Sequence, residues 1–502
     1  MKEIPDLIAK RAILTPDKTA MVDLLSGTST TYRTLDRSAI DAANMLAGLG
    51  VAAQDRVAIL CRNRIEFFEL LFACAKLGAL LVPLNWRMPD KELKTIIDDC
   101  RPKLVLTGAE DRGKLTGVAA DATIIELDSP DTNGYRARCA AADHTPLREF
   151  WPGDEPWYLL YTSGTTGKPK AVIQTYQMAV VNYINVRQAI DLRAEDVTLN
   201  FLPLFHTAGI NLYTLPFLFA GGEVKILPSF DVEKTIALLE GGAVNAFFGV
   251  PAVYQEISLH PKFVDADLSK VRSWGCGGAP LPDILVEKFA KRGALVCNGY
   301  GMTETGPTAF LMDEAHVTQK IGAAGRPQMM TAARIVASNG QETEPGKTGE
   351  IQLKGPGITP GYWNAPDATK AAFTDDGWLK TGDLAKTDAD GFTYIVGRSK
   401  DMFISGGENI YPAEVENIYA KHPAVLEAAI IGVKDEKWGE AGQAYILLRE
   451  EEAVSAEELT RYGRDHLAAY KVPKSFVFVD AFPRTAAGKV QKHLLAAKNL
   501  SS

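Results

Sequence analysis

The stretch WYLLYTSGTTGKPKAV (157–172) decides how this chain is read. An apolar run from Trp157 leads into a loop of Ser, Thr and Gly that ends in two lysines, and apolar residues follow at once. Glycines let a backbone turn its N–H groups toward an anion, and hydroxyl and ammonium groups add donors. The pattern therefore predicts an anion site built where a buried strand ends. A surface turn of small polar residues is the plainer alternative, but such a turn seldom carries repeated hydroxyl–Gly units and two lysines directly after a strand. The spacing also excludes a Walker P-loop. Gly164 and Gly167 give GxxGK rather than GxxxxGK, and Pro169 stands where a Ser or Thr should bind magnesium.

On the N-terminal side, helical and strand patterns alternate. TLDRSAIDAANMLAGL (34–49) has apolar positions at helical spacing, RVAIL (56–60) reads as a strand, and IEFFELLFACAKLGAL (65–80) as a helix. PKLVLTG (102–108) and ATIIELD (122–128) are two further buried strands. Alternation of this kind predicts an α/β class with parallel sheets covered on both faces. From about 330 to 397 the texture changes to short alternating strands and tight turns, and beyond Arg398 mixed α/β patterning returns. A boundary is expected near 398–401, leaving room for a small second domain.

The 502 residues exceed what one core organises. With 54 Lys+Arg against 62 Asp+Glu, the net charge is −8 and no basic block occurs, so nucleic acid is not expected as a partner. Six cysteines (Cys61, Cys74, Cys100, Cys139, Cys276, Cys297) without a CxxC pair argue against structural zinc or a disulfide framework. Ile65–Val82, the most apolar stretch, is interrupted by Glu66, Glu69 and Lys76 and reads as a buried helix rather than a membrane span. The start, MKEIPDLIAKR, shows no signal-peptide pattern, and the final NLSS is no peroxisomal address. A cytoplasmic protein is expected.

Four further segments carry chemistry. In NGYGMTETGP (298–307), glycines flank Tyr300, while Thr303 and Glu304 offer a hydroxyl and a carboxylate. A phosphate beside a carboxylate needs a bridging cation, and Mg²⁺ binds both through oxygen. Glu304 stands where the third glycine of a Rossmann fingerprint would be, and a loop with a helix cap at Thr303 fits the segment equally well taken alone. WLKTGD (378–383) ends in Asp383, which can accept hydrogen bonds from ribose hydroxyls or simply close a turn after Gly382. GRSKDMFISGGENIYPAEVE (397–416) contains the Gly-rich loop SGGEN (405–409). PRTAAGKVQK (483–492) places Lys489 after a glycine, a setting that by itself also suits a solvated surface lysine.

Together and in this order, YTSGTTGKPK, GYGMTE, TGD, GRSKD and PRTAAGK resemble the adenylate-forming enzymes over nearly the whole chain. That family comprises acyl- and aryl-CoA synthetases, firefly luciferase and nonribosomal-peptide adenylation domains. The resemblance implies a large N-terminal domain (1–397) with two parallel-rich sheets packed by helices and a β-rich subdomain (about 330–397). A hinge at 398–400 centred on Lys400 and a small mobile α+β lid (401–502) would follow. It implies ATP, Mg²⁺ and coenzyme A as cofactors and co-substrates.

The loop Thr162, Ser163, Gly164, Thr165, Thr166, Gly167, Lys168 and Lys170 would hold the β- and γ-phosphates. Thr303 would meet the α-phosphate, and Glu304 the metal. Asp383 would bind ribose with Arg398 nearby. Adenine would lie between Tyr300 and the backbone of Gly277, Gly278, Ala279 and Pro280, with Asn298, Gly299 and Gly301 around it. Lys489 would reach the substrate carboxylate during adenylation. After domain rotation, Ser405, Gly406, Gly407 and Glu408 would line a pantetheine tunnel. His206 matches an aromatic position near the substrate carboxylate, and the acyl pocket is expected from His206, Ala208, Gly209, Leu212, Phe247, Gly249, Val250, Trp274, Gly277, Gly301 and Pro307.

Ala171 stands where many relatives have Gly, and Tyr176 where His is frequent; neither change removes a phosphate ligand. His206 in place of an Asp argues against amino-acid substrates. The pocket stretches hold no Arg or Lys, which disfavours malonate-type diacids, and their glycines and aromatic rings suit an aryl acid such as a hydroxycinnamate, or a medium- to long-chain fatty acid. With 13 residues after Lys489, free CoA is the expected acceptor rather than a fused carrier domain. An adenylate-only fatty acyl-AMP ligase, a ligase to a separate carrier-protein thiol, a luciferase-type monooxygenase and an inactive nucleotide-sensing homologue stay open at this stage. A homodimer is plausible for such a family.

Overall fold

Apolar strands and amphipathic helices assemble, in the computed structural model of the chain, into a six-, a nine-, a four- and a five-stranded sheet among the described residues. The structure describes residues 1–119, 122–144, 146–162, 169–485, 488 and 490–498. The six-stranded sheet runs Lys170–Thr175, Pro156–Thr162, Leu80–Pro83, Arg56–Leu60, Leu104–Thr107, Thr123–Glu126, parallel except for its first pair. The nine-stranded sheet has a parallel centre (Val296–Tyr300, Ser273–Cys276, Ala246–Gly249, Val197–Asn200, Glu223–Ile226, Thr19–Asp23) and antiparallel pairs at both edges. Such sheets need helices on both faces, which is why their strands read as unbroken apolar runs.

Helix Ile65–Leu77 is apolar on nearly every side and buried along its length. It stops at Gly78, whose φ of 78° suits glycine. Lys76 is the exception on that helix. Its ammonium is buried and pairs with Asp6, and with Asp36 at 2.6 Å. Asp6 also caps helix Leu7–Leu14, accepting from the N–H groups of Ile8 and Ala9 at 3.0 Å each. Three helices are thereby tied through one buried cation. Burial alone would lower the Lys76 pKa, but the two carboxylates reverse this and hold it above the usual lysine value. No helix among the described residues is long and apolar enough to cross a membrane.

The antiparallel four-stranded sheet (Ala332–Val336, Gly349–Lys354, Leu379–Thr387, Thr393–Arg398) occupies the stretch of short alternating strands. Between its second and third strands, Thr359 to Trp363 lie along the outer edge of Lys170–Thr175. The N–H of Ile173 donates to Gly361 O at 3.1 Å, and that of Trp363 to Ala171 O at 2.8 Å. The last sheet begins at Phe403 and belongs to the small C-terminal domain, in which Val425–Asp435 and Gly439–Leu448 form a long antiparallel pair flanked by helices Pro412–Tyr419 and Ala456–His466. An ion pair of Lys421 with Asp283, 2.8 Å, joins this domain to the large one. The whole is a mixed α/β fold with a large N-terminal and a small C-terminal domain.

Candidate active site

Ligands of parallel α/β sheets collect beyond the carboxyl ends of the strands. Strand Val296–Tyr300 delivers Asn298, Gly299 and Tyr300 to that end and passes directly into the turn Thr303–Thr305. Gly301 allows this sharp exit: a Cβ there would lie 1.5 Å from Pro307 O. Gly301 and Pro307 therefore back onto each other. Thr303 and Glu304 are buried and braced from two sides. Gln174 Nε2 donates to Thr303 O at 2.9 Å, and the Thr359 N–H donates to Glu304 O at 2.8 Å.

Glu304's carboxyl accepts a hydrogen bond from the Tyr362 hydroxyl at 2.9 Å, and it forms no ion pair among the described residues. Burial raises its pKa above the usual carboxylate value, with the Tyr362 bond working in the opposite sense. The Lys170 ammonium sits 5.3 Å from the centre of the Tyr362 ring. Lys170 is paired with Thr162 at the stem of the anion loop. Ser163, Gly164, Thr165, Thr166, Gly167 and Lys168 lie outside the described residues, as does Lys489.

Asp383 faces Arg398 across two neighbouring strands, with Arg398 Nε 3.1 Å from one carboxylate oxygen. The Tyr300 hydroxyl donates to the other at 2.7 Å. A carboxylate has about four lone-pair positions, so Asp383 keeps acceptor capacity for hydroxyls of a sugar. Asn298 Oδ1 is buried with no hydrogen-bond partner among the described residues. A buried orphan acceptor calls for a donor, and the amino group of an adenine supplies one. Gly278, at φ 83°, carries the chain past Val250 toward Ala279 and Pro280.

Mg²⁺ is held characteristically by one or two carboxylates, waters and substrate phosphates. A single buried Glu304 without an ion pair among the described residues fits that pattern, and Glu304 is the residue that would hold the ion. Tyr362 was not foreseen from the sequence; the only signal was the Gly–Tyr–Trp run that follows Pro360. Tyr362→Phe is expected to slow the first half-reaction about tenfold, the worth of one buried hydrogen bond to a charged group. It should also raise the Mg²⁺ concentration needed for half-maximal rate. Pyrophosphate release titrated with Mg²⁺ checks both.

His206 sits in a turn closed by its own N–H to Pro203 O at 3.1 Å and by the Gly209 N–H to His206 O at 3.1 Å. Burial, and secondarily the Arg87 guanidinium, lower its pKa to about 4, so the imidazole is neutral near pH 7. Arg87 comes from the loop before helix Asp90–Cys100, outside the stretches from which diacids were disfavoured. One π-helical turn, Ala208–Leu212, follows His206 and leads to Tyr213.

The walls correct the sequence reading. Strand residues alternate between faces, and Phe247, Trp274 and Gly249 fall on the face turned to helices Pro251–Leu259 and Asp283–Ala290. The Trp274 ring contacts Phe247, Tyr254 and Phe289, and a Cβ on Gly249 would meet Val253 at 3.0 Å. These three residues pack the core instead of lining a pocket. The opposite face, shared with Tyr213, carries Phe248, Gly275 and Gly277.

In the small domain, Ser405 and Glu408 pair across a tight hairpin whose Gly406 and Gly407 both have positive φ, 61° and 88°. A Cβ on Gly406 would lie 2.7 Å from the Trp438 ring. Lys400 is an exposed turn residue between Arg398 and Phe403, and the N–H groups of Asp401 and Met402 donate to Arg398 O at 3.1 Å each. Gly488 reaches the large domain: a Cβ on it would lie 3.6 Å from Val250 and 3.7 Å from Ala252.

The family profile described as AMP-binding enzyme matches residues 8–363, and that described as AMP-binding enzyme C-terminal domain matches residues 414–489. A feruloyl-CoA synthase from Amycolatopsis sp. is 40% identical over 483 residues, covering 96% of each chain. A long-chain-fatty-acid–CoA ligase of Mycobacterium tuberculosis is 37% identical over 502 residues, 99% of this chain and 98% of its own. The structure of o-succinylbenzoate CoA synthetase from Bacillus subtilis, in complex with its acyl-adenylate intermediate, superposes with a TM-score of 0.88 at 32% identity, covering 99% of this chain and 98% of that one.

Proposed function

The chain belongs to the AMP-binding enzyme family, and from that premise we propose that it is an acyl-CoA synthetase acting on an organic acid with a single carboxylate and an apolar body. A carboxylate oxygen attacks the α-phosphorus of ATP, the bond to the β-phosphate bridging oxygen breaks, and pyrophosphate leaves. The CoA sulfur then attacks the acyl carbonyl carbon as its thiol proton passes to solvent. The carbon–oxygen bond to AMP breaks, giving a thioester.

The observation that carries this reading is the grouping of Lys170, Tyr362 and Glu304 through direct contacts, with Tyr300, Asp383 and Arg398 forming a second contact chain. An anionic nucleophile attacking a polyanion is repelled, so positive charge must meet the charge that develops. Mg²⁺, when bound, neutralises phosphate charge and orients the leaving group. Thr162 and Lys170 frame the loop for the outer phosphates, and Thr303 and Glu304 stand at the α-phosphate and metal. Asp383 takes the ribose, and Asn298 the adenine edge. Neutral His206 lies beside the substrate carboxylate without adding charge to it. Lys489 enters for adenylation and leaves when the small domain turns about Lys400, bringing the Gly406–Gly407 hairpin beside the pantetheine arm.

Relatives named for ferulate and for long-chain fatty acids leave the acid to be decided by the pocket. Pyrophosphate release from ATP, measured across cinnamates, benzoates, malonate and fatty acids with and without CoA, tests the proposal. CoA-dependent turnover with one class of monoacid is the expected result. Pyrophosphate release without a thioester would move the assignment to an adenylate-only ligase or to a carrier-protein acceptor, and silence with ATP still bound would overturn it.

A further inference from the structure

We propose that Lys421 and Asp283 form a releasable latch that positions the small domain for the first half-reaction. The inference rests on the acyl-CoA synthetase reading, with rotation about Lys400, and adds what holds the domain and lets it go. Lys421 directly follows Ala420, the C-cap of helix Pro412–Tyr419 in the small domain. Asp283 is the first residue of helix Asp283–Ala290 in the large domain. The Lys421 ammonium and an Asp283 carboxylate oxygen are 2.8 Å apart. The bond to Asp283, with Glu287 one turn further along the same helix, holds the Lys421 pKa above the ordinary lysine value. A hinge leaves a rotation free, and a contact away from the hinge fixes it. Gly488 meets Val250 and Ala252 at the start of helix Pro251–Leu259, which packs beside Asp283–Ala290.

The pair is built to let go. The Lys421 side chain is 45% and that of Asp283 19% exposed, so water and salt screen their attraction. Lys421 also approaches the N-terminal, positive end of helix Asp283–Ala290, and that dipole opposes it. Once detached, it still has the negative end of its own helix beside it. Like charges meet at the same junction. Arg449 Nε donates to Pro423 O at 2.9 Å, two residues from Lys421. Burial, and secondarily that guanidinium, lower the pKa of Lys288 on helix Asp283–Ala290. Attraction at Asp283 is therefore set against repulsion at Lys288 on one helix. The adenylation rate scales with the fraction of molecules in the competent orientation, so weakening the attraction slows that step first. Both residues are positioning residues, acting through the placement of the domain.

The test measures single-turnover rates of both half-reactions, with the most active acid of the cinnamate, benzoate and fatty-acid panel. Adenylation is read as pyrophosphate release without CoA, and thioester formation from isolated acyl-adenylate plus CoA. Asp283→Asn, which keeps the shape and removes the charge, should slow adenylation about two- to threefold. Lys421→Glu, which sets like charges against Asp283 and Glu287, should slow it about tenfold. Thioester formation in both variants should match or exceed the native rate. Exchanging the charges, Lys421→Glu with Asp283→Lys, should return adenylation to within about twofold of native, because an acid then faces the helix N-terminus. A purely structural defect would lower both rates together, and the exchange would not repair it.

Equal loss of both half-reactions overturns the latch alone. So does a loss confined to thioester formation, adenylation in Lys421→Glu within about twofold of native, or a loss that the exchange fails to recover. Silence of the native enzyme across the panel overturns the synthetase reading and this inference with it.

Discussion

Replacing Lys489 by alanine is expected to slow acyl-adenylate formation by about a hundred- to a thousandfold, the loss typical of removing one preorganised donor from a site of developing negative charge. Thioester formation from supplied acyl-adenylate should stay within a few-fold of normal. The neighbouring Gly488 backs onto Val250 and Ala252, at the carboxyl end of the strand that carries Phe248. The Lys421–Asp283 pair holds the small domain against helix Asp283–Ala290. Gly488 thus lies against the large domain, close to the strand ends that present Asn298 and Tyr300. Lys400→Pro should show the converse, with adenylation preserved and thioester formation impaired. Single-turnover rates of the two half-reactions separate the outcomes. Equal loss of both in Lys489→Ala, or normal CoA transfer in Lys400→Pro, would refute these roles.

The second large effect concerns stability. Lys76→Met should cost about 3–5 kcal/mol, because removing one member of a buried ion group leaves the others uncompensated. Asp6 and Asp36 would face each other without a cation, and Asp36 is already raised above the usual carboxylate pKa by burial, with Lys76 the opposing influence. Asp6 cannot turn away without uncapping helix Leu7–Leu14. Urea unfolding measures the loss. Adding Asp36→Asn to Lys76→Met should recover part of it, whereas a mere packing defect would make the double variant no better than the single.

What the sequence disclosed, and what it hid, follows from where each role is written. The nucleotide motifs are legible because glycine, hydroxyl and carboxylate must sit close together in the chain to serve one phosphate. The acyl wall was misread at Phe247, Trp274 and Gly249. Strands AFFG and SWGC are buried on both faces, so apolar alternation, the usual guide to facing, is missing. Tyr362 was invisible because it lies 58 residues from Glu304 and only the fold brings them together. Lys76 was read as an interruption that argued against a membrane span; that it anchors three helices depends on Asp6 and Asp36, 70 and 40 residues away.

The pairing of Thr359 to Trp363 along strand Lys170–Thr175 has a consequence for biosynthesis. That strand is an outer strand of its sheet, and a row of unpaired N–H and C=O groups invites association with other chains. Its cover arrives late: Thr359 Oγ1 donates to Ile173 O across 186 residues of sequence. While the ribosome is still making that interval, the nascent chain carries an unprotected sticky edge, with Ala171, Val172 and Ile173 at its centre, beside its future phosphate loop. Fragments that stop short of Thr359 would keep it permanently, so the large domain is best produced in one piece with the segment that seals it.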